Sequence, residues 1–203
     1  KIAASLCKLD LVSELVVEFP ELQGVIGKYY AKKAGFSDLI ADACFEHYLP
    51  RGPLDGVPRN SVSVVLALAE KIDMICSFWS INLKPTGSKD PFALRRSAIG
   101  IIRILLENDI GLSIVDLLKL GNNNLDFEDL LDFFNERIRV QLIEKGIKND
   151  VLNTVSIKTH PNLSLKEMSQ RASAIQEFVT SESGKDLIQG YKRALNILIA
   201  EEK

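Results

Sequence analysis

Apolar residues recur along this chain at spacings of three and four, and period-two alternation is almost absent, so nearly every ordered stretch reads as helix. Residues 2–18 are apolar nearly all round, which predicts a helix buried on most sides with Asp10, Glu14 and Glu18 as its one polar stripe. Carboxylates four apart repel unless something positive faces them, and the basic helix after Asp90 is the expected partner. Pro20 opens a helix over 20–34, where Gly24 and Gly27 imply a close helix–helix approach. That helix ends in Tyr29, Tyr30, Lys32 and Lys33, which read as amphipathic packing with a wet rim. Ser37 caps a helix to Tyr48, and 49–60 is dense in turn residues. A core helix then runs from Ser61 or Ser63 to about Ile81, its apolar positions wrapping most of the circumference, with Asp73 in its middle.

The next helix, Pro91 to about Asn108, divides cleanly at 100° per residue. Leu94, Ala98, Ile101, Ile102, Leu105 and Leu106 form a broad apolar face, while Arg96 and Arg103 share another side. Short helices follow over 113–120 and 149–156, and a longer one from Asp126 to about Lys145 is stopped by Gly146. A turn is expected at 121–124. Residues 157–163 read as a linker and a domain boundary. Ser164 and Glu167 make a capping box for a helix to about Thr180, and the last helix starts near Lys185.

Charge changes the picture at one place. The whole chain of 203 residues carries a net −2, yet Lys84 to Arg103 holds five basic residues against Asp90 alone. The loop Lys84-Pro85-Thr86-Gly87-Ser88-Lys89 turns into a helix that Asp90 can cap, with Pro91 suited to its first position. Such a loop and helix suits an anion, phosphate first. The residue order is not that of a P-loop, and no strand precedes it. Arg95 lies on the margin of the apolar face, so it is expected in a structural ion pair with Asp73, or else Asp10. Lys84, Lys89, Arg96 and Arg103 are expected to meet a ligand.

Other chemistry is thin. His47 and His160 are the two histidines, no His-Asp pair occurs, and the three cysteines lack metal-type spacing. Neither a nucleophile elbow nor a Ser-His-Asp or Cys-His set is credible, so no catalytic residue and no metal ligand is assigned. Cys7, Cys44 and Cys76 sit on apolar helical stretches, which predicts reduced buried thiols and a cytoplasmic location. No apolar run reaches the roughly 18 residues of a membrane span. The chain opens inside one helical pattern and stops inside another, so a piece of a longer polypeptide is expected.

Five stretches resemble the beta subunit of bacterial glycyl-tRNA synthetase: Phe19-Pro20-Glu21-Leu22-Gln23-Gly24, Tyr29-Tyr30-Ala31, Glu46-His47-Tyr48-Leu49-Pro50-Arg51, Leu68-Ala69-Glu70-Lys71-Ile72-Asp73, and Lys84 through Arg96. The resemblance is strong over about 1–110 and looser beyond, where Tyr191 to Leu198 carries it. It implies an all-α fold, an HD-like helical bundle over 1–110 followed by a helical linker over 111–156. The truncated start of a helical anticodon-binding domain follows over 157–203. It also implies a tRNA(Gly)-binding role beside an alpha subunit in an α2β2 enzyme. There the alpha subunit uses ATP with Mg, and this segment needs no cofactor. The chain departs from true HD hydrolases in lacking the His-Asp pair, with Asp73 alone fitting their terminal Asp. That departure argues against hydrolase chemistry, and a metal-dependent nucleotide phosphohydrolase is kept as the alternative class.

Overall fold

A computed structural model describes residues 1–121 and 126–201, so the turn expected at 121–124 lies, but for Gly121, outside the described residues. Eleven α-helices are present among the described residues, and no strand. The long central helix α5 (Ser61–Ser80) begins where the Asn60 side chain accepts from the Ser63 amide, closing one of the orphan donors of a helix start. It buries Val64, Leu68, Ile72, Ile75 and Trp79 as expected, but Val65 and Asp73 lie on an exposed side.

Against α5 pack α4 (Asp38–Glu46) and α6 (Leu94–Glu107). The apolar face of α6 read from the sequence is the buried one: Leu94, Ala98, Ile101, Ile102 and Leu105 are all fully enclosed. The same core continues through α7 (Ile114–Lys119), α8 (Phe127–Glu144), α9 (Asn149–Leu152) and α10 (Leu165–Thr180). It runs from Val57 to Ala172, including Val155 and Ile157, so the segments on either side of the expected linker share one buried cluster. Ser164 and Glu167 form the capping box at the start of α10. The final helix, α11 (Glu182–Glu201), packs on α10 and keeps Leu187, Tyr191, Ile197 and Leu198 exposed.

The N-terminal part departs most from the sequence pattern. Residues 2–18 are not one buried helix but α1 (Ile2–Leu6), a 3-10 turn at Leu9–Val12, and α2 (Glu14–Glu18). Ser13 makes the break, its side chain accepting from the Val16 amide to start a new helix. Val12 is 85% exposed, and Val17 is exposed as well. Nor does the acidic stripe face the helix after Asp90. Glu14 and Glu18 are exposed, while Asp10 is 1% exposed and points at the start of α3 (Val25–Lys33). Its Oδ2 accepts from the amides of Gly24 (2.7 Å) and Gly27 (3.2 Å), where the helix dipole also favours a negative charge. A Cβ on Gly27 would stand 3.1 Å from that same oxygen, and one on Gly24 would stand 3.1 Å from the Tyr48 ring and 3.3 Å from Phe45 Cα at the end of α4, so the two glycines admit different neighbours.

Candidate functional site

The loop between α5 and α6 is built to be stiff. Thr86 and Lys89 exchange two backbone hydrogen bonds (3.1 and 2.8 Å) across Gly87, which takes φ +50° in the left-handed region where glycine is at ease. Phe92 stacks on Phe78 of α5 with ring centroids 4.1 Å apart. Asp90 caps α6, but from farther back than the sequence implied. Helix begins at Leu94, after Ala93 in the left-handed region, and the two carboxylate oxygens accept from the Leu94 and Arg95 amides at 2.8 and 3.0 Å. Pro91 therefore sits in the turn before the helix.

The ion pair expected for Arg95 gives way to a different arrangement. Its guanidinium reaches back and donates to the carbonyls of Gly87 (2.7 Å) and Lys89 (3.3 Å), so it braces the loop. Asp73 is exposed on α5, and Asp10 is occupied at α3. Lys84 and Arg103, expected to meet a ligand, also have internal partners. Lys84 Nζ lies 2.8 Å from Asp129 Oδ2 on α8 and over the Trp79 ring, while Trp79 Nε1 donates to that same oxygen at 2.9 Å. Arg103 donates to the carbonyls of Gly52, Pro53 and Asp55 and pairs with Glu107 at 2.9 Å, so it pins the irregular segment before α5 onto α6. Lys89 and Arg96 differ from these two. Both are exposed, and neither side chain has an acid partner among the described residues.

Arg96 also lines a cleft of about 310 Å³ between α5, α6 and the turn after α4. Its charged walls are Arg51, Glu70, Lys71 and Arg96, and Tyr48, Pro50 and Met74 supply apolar surface. Arg51 is held over the Tyr48 ring (4.9 Å) and donates to the Gln23 carbonyl. Lys71 is 6% exposed and donates to the His47 carbonyl at 3.1 Å. Burial pushes its amine down to about 8, against the pull of Glu70 and with the push of Arg51. Glu70 pairs at 2.7 Å with Lys8. His47 is fully buried, its Nδ1 on the Ala43 carbonyl and its Nε2 3.5 Å from Glu70, and burial lowers its pKa below the ordinary imidazole value. Sequence reasoning assigned no role to Arg51 or Lys71. A lysine on an otherwise apolar helix face was the available signal.

Among the described residues no three His, Cys, Asp or Glu side chains are grouped so as to hold a metal ion. All three cysteines are buried, burial raising the thiol pKa of Cys7 and taking that of Cys44 to about 11. No described helix is long and apolar enough to cross a membrane.

Residues 1–157 match the family model described as "Glycyl-tRNA synthetase beta subunit". The chain belongs to this family. It is 48% identical over 203 residues to a glycine–tRNA ligase beta subunit of Ruegeria sp. (strain TM1040), covering 99% of this chain and 29% of that relative. It is 46% identical over 201 residues to the corresponding subunit of Paracoccus denitrificans, again with 99% and 29% covered. The chain thus spans about three-tenths of the length of these glycyl-tRNA synthetase relatives. Residues from four stretches distant in sequence, among them Gln23, Tyr48, Lys71 and Arg96, meet around this cleft.

Proposed function

We propose that this segment of a glycyl-tRNA synthetase beta subunit presents a phosphate-binding surface to tRNA(Gly), centred on Lys89 and Arg96. Glycine activation with ATP and Mg falls to the alpha subunit of an α2β2 cytoplasmic enzyme, and the segment needs no cofactor of its own. The observation that carries this reading is the contrast between two pairs of cations on one stiff loop and helix. Lys84 and Arg103 are spent on internal acids and carbonyls, while Lys89 and Arg96 are exposed without an acid to satisfy them. The stiff backbone beneath them leaves only the side chains to be ordered on meeting a phosphate, which favours such contacts. The helical bundle is read as HD-like over 1–110, with a linker region over 111–156 and a further helical domain from 157. In support, the family match ends at residue 157. The shared core then means that this further domain docks tightly on the first. The phosphohydrolase alternative finds no ligand set among the described residues.

Lysine footprinting of the complete enzyme tests the surface. With tRNA(Gly) bound, Lys89 should be protected from an amine-acetylating reagent, and Lys84, already committed to Asp129, should react equally slowly in both states. Equal modification of Lys89 with and without tRNA would contradict the proposal.

A further inference from the structure

The cleft that Arg96 lines has walls unlike the open surface beside it. Three cationic side chains come from three elements: Arg51 from the turn after α4, Lys71 from α5 and Arg96 from α6. The one carboxylate among them, Glu70, is already paired with Lys8 outside the cleft. Lys71 is the decisive residue. The residue is only 6% exposed, and its ammonium has three N–H donors, one of which goes to the His47 carbonyl. No carboxylate stands within ion-pair distance of it among the described residues, and a buried charge without a counter-ion is costly. The fold also makes room for it: a Cβ on Gly100 of α6 would come within 2.9 Å of Lys71 Cε.

We propose that this cleft binds the phosphate monoester of a nucleotide, with Lys71, Arg51 and Arg96 on the phosphate and Tyr48, Pro50 and Met74 against its body. The net charge of the lining, three cations against one carboxylate, matches a phosphate monoester, which carries about −1.5 to −2 at neutral pH. Three cations from three elements lining one cleft suit a tetrahedral anion with three peripheral oxygens. A planar carboxylate would need only one guanidinium fork. The cleft also has the mixed lining of a small-molecule site, with apolar walls and a few convergent polar groups. At pH 7 the Lys71 amine, held near 8, is mostly charged and ready for an anion. The inference goes beyond the surface reading, since Lys71 and Arg51 take no part in that surface. The monoester belongs either to a free nucleotide or to the terminal phosphate of an RNA strand, and the same chemistry holds both; the internal diesters of a strand, with one charge each, do not match.

The test is competitive acetylation of the complete enzyme, with the extent at Lys71 read by peptide mass spectrometry. Inorganic phosphate and AMP should each slow Lys71 modification, by about tenfold at ten times the Kd, while adenosine should not. Arg51→Gln should weaken that protection. Gly100→Ala, by displacing the amine, should weaken it too. Protection by tRNA at far lower concentration than AMP would assign the phosphate to an RNA strand, and protection by AMP but not by tRNA would assign it to a free nucleotide. A Lys71 that reacts at the same rate with and without phosphate and AMP overturns the proposal. So does a Lys71 that never reacts, because the cleft would then be closed to small solutes. Lys89, read in the same digests, responds to tRNA independently, so failure of the cleft and failure of the surface remain distinguishable.

Discussion

Lys71 makes the clearest demand at the scale of single residues. Its amine titrates near 8 in the folded chain against about 10.4 in the unfolded one. Below pH 8 both states are charged and the folded state bears the full cost of burial. As pH rises from 8 toward 10.4 the folded state loses its proton first, so the unfolded state holds more protons and stability rises. Relative to Lys71→Met, the wild-type chain should therefore gain on the order of 2–3 kcal/mol between pH 7 and 10. Urea unfolding of both at several pH values checks this, and parallel curves would refute it. Asp10 gives a second prediction. Asp10→Ala leaves the buried amides of Gly24 and Gly27 without their acceptor and should cost about 2–4 kcal/mol. Glu14→Ala and Glu18→Ala, at exposed positions, should stay within about 0.5 kcal/mol by the same assay. The burial of Asp10 was not legible in the sequence, because a carboxylate in an apolar run gives no sign that two distant amides will meet it.

Among the elements, the α5–α6 pair was legible and the N-terminal stretch was not. Spacing along α6 separates core from surface because one face packs on a neighbour throughout its length. Residues 2–18 lack that regularity, and Ser13, which starts a new helix, reads equally well as a residue inside one. The loop before α6 shows a similar limit. A helical wheel places Arg95 at a margin, but the length of its side chain decides that it turns back six and eight residues to Lys89 and Gly87. Arg95→Ala should then cost only about 1–2 kcal/mol, well below the roughly 3–5 kcal/mol of a broken buried ion pair. Amide hydrogen exchange should accelerate over residues 86–89 and remain unchanged in α5. Arg103→Ala should act at another place, freeing the segment 52–55 whose carbonyls it holds.

For the whole molecule, the all-helical class, the family and the cationic loop could be read from residues alone. How the charges are divided could not. Lys84, Lys89, Arg96 and Arg103 are equivalent as a string of basic residues, and only packing reveals that Asp129 and the 52–55 carbonyls claim two of them. The cleft was equally hidden, since its walls come from four stretches that only the fold brings together. If the two unclaimed cations meet RNA phosphates as proposed, the salt dependence of tRNA(Gly) binding by the complete enzyme reports each contact. Each phosphate contact contributes somewhat under one unit to the slope of log K against log salt. Lys89→Ala and Arg96→Ala should each lower that slope by about 0.7–0.9, with affinity falling similarly for any tRNA because backbone contacts carry no sequence information. Lys84→Ala should leave the slope unchanged. Slopes equal to wild type in both Lys89→Ala and Arg96→Ala would contradict the account.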